Sequence, residues 1–394
     1  MKTRIITKRV WILSLISLFT DMASEMLYPV MPLYLKEIGF SIIGIGILEG
    51  CAEAIAGLSK SYFGAWSDQT GKRAAFVQFG YSLSAVSKPM MAVFSFPLWV
   101  FFARTVDRIG KGLRTGARDA MLGEEATPQT KARVFGLHRS MDTLGAMLGP
   151  AIAVAFLYYH PGAYKTMFVY AVIPGILAIV CTLLLRDRKK IANPNKKFPS
   201  FKIFYSYWLH APNVYKKLTA ALLVFALVNS SDVFLLLKMK ENGISDMQLI
   251  LVYIFYNAVY ALLAYPAGIL ADRYGIKKIL SLGLLLFAIA YGSMNFAENV
   301  WLFVSVFFVY ACYAACTEGI AKAWIAQLIV DKELATALGT FSGFQSIITL
   351  FASSIAGLMW FNYGSYAVFV SAAVVSLSVM LYIHFKIPAH HAKT

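Results

Sequence analysis

The sequence predicts an all-α membrane protein: twelve transmembrane helices forming two six-helix bundles related as parallel repeats. Three observations carry that expectation. The first is composition: of 394 residues, 59% are hydrophobic and 14% charged, with mean hydropathy +0.65, whereas a soluble domain carries about 25% charged residues. This excludes an ordinary cytoplasmic enzyme. The second is punctuation. Apolar runs of about twenty residues, enough to cross a ~30 Å hydrocarbon core, recur between turn and charge signals, and strictly alternating runs do not dominate, which favours helices over a barrel. The third is an internal repeat, in which the two halves match without a gap at an offset of 204 residues. Lys36-Glu37-Ile38-Gly39-Phe40-Ser41 falls on Lys240-Glu241-Asn242-Gly243-Ile244-Ser245, and Gly64, Asp68 and Gly71 fall on Gly268, Asp272 and Gly275. An offset of an even number of spans gives both copies the same orientation.

In chain order the apolar runs place spans near 10–35, 42–66, 74–96, 98–118, 133–158 and 166–185, then 217–238, 246–270, 277–296, 300–322, 336–360 and 365–386. The first run has no cleavage signal after a short apolar core and is expected to be a retained helix. Lys2, Arg4, Lys8 and Arg9 precede it, and Arg186, Arg188, Lys189, Lys190, Lys196, Lys197, Lys202, Lys216 and Lys217 crowd the centre of the chain. By the positive-inside rule this puts both termini and the central loop in the cytoplasm. The net charge of +16 is thereby assigned to topology, and no nucleic-acid partner is expected. The organisation is 1–190 as the first bundle, 191–216 as a cytoplasmic linker and 217–394 as the second bundle. Within the linker, Phe201, Phe204, Tyr205, Trp208 and Leu209 recur at helical spacing opposite Lys202, Ser206 and His210. That pattern predicts an amphipathic helix lying on the membrane surface, with a disordered aromatic linker as the alternative. Cys51, Cys181, Cys312 and Cys316 lie in apolar segments without a CxxC pair, so neither disulfide framework nor zinc site is indicated.

Two loops carry a shared motif. Gly64-Ala65-Trp66-Ser67-Asp68-Gln69-Thr70-Gly71-Lys72-Arg73 joins spans 2 and 3, and Gly268-Ile269-Leu270-Ala271-Asp272-Arg273-Tyr274-Gly275-Ile276-Lys277-Lys278 joins spans 8 and 9. A tight cytoplasmic turn needs glycines where backbones approach, an acid to hold a neighbouring helix end or arginine, and basic residues at the headgroups. The pattern G-x-x-x-D-x-x-G-[RK]-[RK] resembles the loop signature of the major facilitator superfamily. With the six-plus-six count and the central loop, the resemblance covers essentially the whole chain. It implies a gating role for Gly64, Asp68, Gly71, Lys72, Arg73, Gly268, Asp272, Arg273 and Gly275. Gln69 departs from the family, which usually has a basic residue there. In span 5, Gly145-Ala146-Met147-Leu148-Gly149-Pro150 resembles the start of the superfamily's antiporter motif, whose later glycine is replaced by Ala153. Small residues there also suit plain close packing of helices.

Span 4 reads Arg104-Thr105-Val106-Asp107-Arg108-Ile109-Gly110-Lys111-Gly112-Leu113-Arg114, followed by Arg118 and Asp119. Arg104, Arg108 and Lys111 share a helix face, and a charge at mid-membrane costs at least ~2.5–3.5 kcal/mol unless paired or hydrated. The spacing therefore predicts an interior-facing stripe with carboxylate partners. The superfamily's usual span 4 has a glycine where Arg108 stands. The string resembles a group of bacterial facilitator-type permeases, and the resemblance implies a bacterial inner membrane. Gly110-Lys111 lacks the frame of a phosphate loop.

The membrane acids are the candidate coupling groups: Asp21 and Glu25 one turn apart in span 1, Glu49 and Glu53 one turn apart in span 2, Asp107 in span 4, and Asp142 with His138 and Arg139 in span 5. Asp107 and Asp142 alternatively neutralise the cations of span 4 or Lys88. At the 204 offset Glu25 falls on Asn229, Glu49 on Tyr253, Glu53 on Asn257 and Arg108 on Cys312. Charge is thus concentrated in the first half, which is expected to carry ion coupling. Asn229, Asp232, Tyr253, Tyr256, Asn257, Tyr260 and Glu318 are the candidates for a polar-aromatic solute wall, although aromatic stripes are often only packing.

The expected function is secondary active transport of a small solute by alternating access, with proton-coupled antiport or efflux as its most concrete form. It involves no cofactor beyond protons or another coupling ion, and the working unit is expected to be a monomer in the bilayer. An alternative keeps the fold and changes the cargo: Asp21, Glu25, Glu49 and Glu53 would coordinate a metal cation, or the span-4 cations would bind a carboxylate-rich metallophore. A membrane receptor or enzyme is a remote third, for no HExxH, GxSxG or paired-histidine constellation appears in the spans.

Overall fold

A computed structural model of the chain describes residues 6–27, 31, 34–35, 38–39, 42–160, 162–187, 203–230 and 232–388. The helices of the first half are α1 (Lys8–Glu25), α2 (Ile42–Thr70), α3 (Arg73–Val93), α4 (Pro97–Glu124), α5 (Lys131–Tyr159), α6 (Tyr164–Tyr170) and α7 (Val172–Leu183). After the linker helix α8 (Ile203–His210) come α9 (Asn213–Val228), α10 (Val233–Glu241), α11 (Asp246–Tyr274), α12 (Ile276–Met294), α13 (Val300–Leu328) and α14 (Leu334–Lys386). Three spans are interrupted or joined. α6 and α7 form span 6, α9 and α10 form span 7, and α14 contains spans 11 and 12 on either side of Gly364, whose φ of 78° is non-helical. The helices therefore make the twelve spans of the expected architecture. Among the described residues, seven helical stretches pass as membrane-crossing by length and apolarity alone. α4 is not among them because it carries the charged stripe.

Helix ends follow local chemistry. The hydroxyl of Thr7 accepts the amide of Val10 at 3.3 Å to open α1. Ser245 and Gln248 form a reciprocal capping box at α11, which satisfies amides that a first turn leaves open. α1 stops at Glu25, four residues before Pro29, whose ring would meet the Glu25 carbonyl. Span 7 breaks between Val228 and Val233, where Asn229, Ser230 and Asp232 are short polar residues of a kind that competes with the helix for backbone hydrogen bonds.

The chain forms two compact units. The first contains Met1–Glu125, Met141–His210 and Ile329–Ser346, and the second Ala126–Ser140, Ala211–Leu328 and Ile347–Thr394. Each unit thus includes the start of a long helix, α14 or α5, from the other half of the sequence. In the first, α4 packs on α2 and α3, and α7 on α1 and α3. In the second, α13 packs on α11 and α12. α4 and α13 end at Glu124 and Leu328, 204 residues apart, so the repeat gives both units the same central helix. Their interiors differ. The first unit buries Lys88, Arg104, Asp107, Arg114, Arg118, Asp119 and Asp142, whereas the second buries Phe287, Tyr291, Phe303, Phe307, Tyr310 and Tyr313.

The linker helix α8 packs against α2, with Trp208 edge-on to Phe344 at 5.9 Å. Tyr207 is buried, Trp208 half-buried and Leu209 exposed. Phe201 and Lys202 and the side chains of Phe204 and Tyr205 lie outside the described residues.

Candidate functional site

The two loop motifs build the same device. Asp68 accepts the Thr336 amide at 2.7 Å and the Thr336 hydroxyl at 2.8 Å, capping the first turn of α14. Asp272 accepts the amides of Ala132 and Arg133, both at 3.0 Å, capping α5. A carboxylate at a helix N-terminus satisfies open amides and complements the dipole. Gly64 and Gly268 permit the approach, because a Cβ on Gly64 would lie 2.5 Å from the Ala335 carbonyl oxygen and one on Gly268 2.5 Å from that of Ala132. Gly71 and Gly275 turn the chain at φ 67° and 103°.

Around Asp68 the cap becomes an ion network. Buried Arg73 holds Asp68 at 2.5 Å, the Asp331 carbonyl at 2.7 Å and also Glu124, and Arg9 reaches Glu125 at 3.2 Å. Arg73 supplies the basic partner that Gln69 cannot. Burial pushes the Asp68 carboxyl up from the usual carboxylate range, against the pull of Arg73 and the Thr336 donors. The second copy is simpler: Arg133 lies 3.6 Å from Asp272, while exposed Arg273 sits over the Tyr274 ring. Lys72 is exposed.

The first unit gathers most of the membrane charges around α4. Lys88 on α3, 2% exposed, pairs with Asp107 at 2.8 Å, with Ser87 also reaching that carboxylate at 3.4 Å. The charges of Arg108 and Arg104 act on Asp107 as well. Lys111 and Arg108 are the cations acting most strongly on half-buried Glu25. Arg104 is buried, and Arg108 and Lys111 are half-buried. The row continues as Arg114, which donates to Ser84 at 2.5 Å and lies over the Tyr81 ring at 4.4 Å, and Arg118, 2.8 Å from Asp119. Asp142 accepts from Ser17 at 2.5 Å and lies beside Asp21, each carboxyl group acting on the other. Gly145 and Gly149 on α5 lie against the backbone of Leu18 and Met22 on α1, the crossing that brings Asp142 to Asp21. Glu49 and Glu53 are on α2, and their side chains lie outside the described residues.

The remaining candidates lie in the second unit. The Arg139 guanidinium donates to the Tyr260 hydroxyl at 2.5 Å and lies 3.8 Å from Glu318, both charged side chains being about one-third exposed. Arg139 and Asp142 are thus in different units despite their spacing on one helix. Tyr256 and Tyr260 are buried and Tyr253 half-buried, with neighbouring rings about 6 Å apart. Asn257 donates to the Tyr253 carbonyl on its own helix. Asp232 accepts from Tyr310 at 2.7 Å. Tyr310, Ser17 and Tyr81 were not singled out by sequence reasoning. Tyr310-x-x-Tyr313 is a helical spacing, but one shared with ordinary core packing.

Comparison with known proteins accords with this architecture. The family model of the Major Facilitator Superfamily matches residues 13–239 and again 218–394. An uncharacterised MFS-type transporter of Methanocaldococcus jannaschii is 29% identical over 387 residues, covering 94% of this chain and 95% of that protein. The quinolone resistance protein NorA of Staphylococcus aureus is 26% identical over 163 residues, 41% of each chain. The crystal structure of the human organic anion transporter MFSD10 superposes with a TM-score of 0.81, covering 95% of this chain and 98% of that one at 14% identity, a likeness of fold. Twelve spans in two repeats, a capped loop motif in each and a family match across both halves lead to one conclusion: the chain belongs to the Major Facilitator Superfamily of multi-pass membrane transporters.

Proposed function

We propose that the protein is a proton-coupled secondary transporter that exchanges a small solute by alternating access, with efflux as its direction. The observation that carries the reading is the juxtaposition of two acids, Asp21 on α1 and Asp142 on α5, where Gly145 and Gly149 cross the backbone of Leu18 and Met22. Two carboxyl groups crowded together do not readily both ionise, so this pair is a place where a proton can be held inside the bundle. Ser17 donates to Asp142, and the charge of Arg114 acts on Asp21. A change at Arg114 or Ser17 would then shift the balance between keeping and losing that proton. Glu25, one turn further along α1 and in the field of Lys111 and Arg108, is the second candidate carrier. Protonation changes the cost of sealing such groups from water, and so biases inward against outward states. The partial likeness to a quinolone resistance protein supports efflux and suggests the first probe.

The test uses the full chain in proteoliposomes with a trapped pH-sensitive dye and an imposed pH gradient. A quinolone, a ferric citrate chelate and Mn2+ are added separately. Solute-dependent proton movement with the quinolone supports the reading. Movement with the chelate, without protons, favours the metallophore reading suggested by the cationic row of α4, and movement with Mn2+ alone favours a metal held by Asp21, Glu25, Glu49 and Glu53.

A further inference from the structure

The break in span 7 has its own chemistry. α9 ends at Val228 and α10 begins at Val233, and such a break leaves last-turn carbonyls of α9 without helical amides. Ser230 is 4% exposed and Tyr291 fully buried. Their hydroxyls and the Asn229 side-chain oxygen have no partner at hydrogen-bond geometry. The Tyr291 hydroxyl faces Ser230 and Tyr310, and the charge acting on it is that of Asp232. The Asp232 carboxylate accepts from Tyr310. Near one carboxylate, therefore, stand the hydroxyls of Tyr310, Tyr291 and Ser230, the last two buried and without a partner at hydrogen-bond geometry.

The repeat sharpens what is missing. In the first half the helix end at Glu25 is met by Lys111 and Arg108. Their counterparts at the 204 offset are Ala315 and Cys312, which carry no charge. The charged groups acting on Asp232 are Glu318 and Arg139, and Arg139 is engaged with Tyr260 and Glu318. The second half thus has its acid, Asp232, three residues beyond the counterpart of Glu25, and neutral residues where the first half has Lys111 and Arg108.

We propose that the break of span 7 is a binding site for Na+, held by the Asp232 carboxylate, the side-chain oxygens of Asn229 and Ser230, and the hydroxyls of Tyr291 and Tyr310. Hard cations take oxygen ligands, and unwound segments with helix C-terminal carbonyls hold Na+ in other membrane transporters. A single carboxylate matches a single charge. Asp232 itself is half-buried, which leaves an approach for an ion. The proposal is independent of the proton reading, since it concerns a different unit.

The experiment follows thermal unfolding of the purified full chain in detergent while NaCl replaces N-methylglucamine chloride at constant ionic strength, with KCl and methylammonium chloride in parallel. The expected result is a saturable rise in unfolding temperature with Na+, stronger than with K+. The concentration for half effect should rise at least tenfold in Asp232→Asn, Ser230→Ala and Tyr291→Phe, and stay unchanged in Glu25→Gln. Should Asp232→Asn fail to fold, the other two site variants decide. No saturable Na+ response in the unsubstituted protein, the same response in every site variant, or a response to methylammonium without one to Na+ would overturn the assignment. Loss of proton-driven transport in Glu25→Gln with the Na+ response intact would separate this site from the coupling groups.

Discussion

Asp68 caps the amide of Thr336 at 2.7 Å, and Asp272 caps that of Ala132 at 3.0 Å. The two acids are 204 residues apart, and so are the two residues they cap. The internal repeat therefore preserves a contact as well as a motif: each loop acid holds a helix from the other half of the sequence. Loss of a capping side chain costs about 0.5–2 kcal/mol. Asp68→Ala should accelerate hydrogen exchange in the first turns of α14, and Asp272→Ala in those of α5. The Asp68 effect should be larger, because Arg73 loses a partner at the same time. Equal and negligible changes would mean that the caps do not hold these helix ends.

The Lys88–Asp107 pair should behave as a buried ion pair. Breaking such a pair by removing one partner costs about 3–5 kcal/mol, while replacing both by apolar groups is often neutral. Lys88→Met should lower the unfolding temperature of the purified protein sharply, and Lys88→Met with Asp107→Leu should recover most of the loss. A double variant as unstable as the two single changes combined would show that Asp107 is held chiefly by Arg104 and Arg108.

Much of this architecture is legible in the sequence, and the reasons are physical. A bilayer fixes the length of each apolar run, so span positions follow from counting, and the gapless repeat exposes the paired loops. The break in span 7 is different. Averaged over a span, Asn229-Ser230-Ser231-Asp232 is diluted by the leucines and valines on either side, although four short polar residues in a row were the available signal. Partners are also hidden. Spacing gives the face of α4 on which Arg104 and Arg108 lie and offers Lys88 among several cations for Asp107, but it does not decide that Lys88 is the one 2.8 Å away. Nor can spacing reveal that α5 divides between units after Ser140, which sends Arg139 to Glu318 and Asp142 to Asp21.

Sidedness gives a third prediction. Lys72 and Lys278 are exposed beside the two loop motifs; the repeat predicts the same side of the membrane for both loops, and the distribution of lysine and arginine predicts the cytoplasmic side. In a background without native cysteines, Lys72→Cys and Lys278→Cys should both react with a membrane-impermeant maleimide in inside-out vesicles and resist it in right-side-out vesicles. Labelling from opposite sides would contradict the parallel-repeat topology.

The Arg139–Glu318 pair is one-third exposed at 3.8 Å, a geometry in which Coulomb attraction contributes little to stability. Glu318→Gln should therefore leave the unfolding temperature within a degree or two while raising the KM for transported solute severalfold. A large stability loss with unchanged KM would assign the pair to packing.

The central claim is that acids of the first half couple a proton to the solute. Its most direct test is transport in proteoliposomes by Asp21→Asn and by Glu25, Glu49 and Glu53→Gln, each measured with an imposed pH gradient and again as solute exchange without one. The account predicts folded variants, loss of gradient-driven transport in Asp21→Asn or Glu25→Gln, and retained exchange in the variant that removes the coupling group. If all four variants transport with unchanged pH dependence, these acids are structural and the account of coupling is wrong.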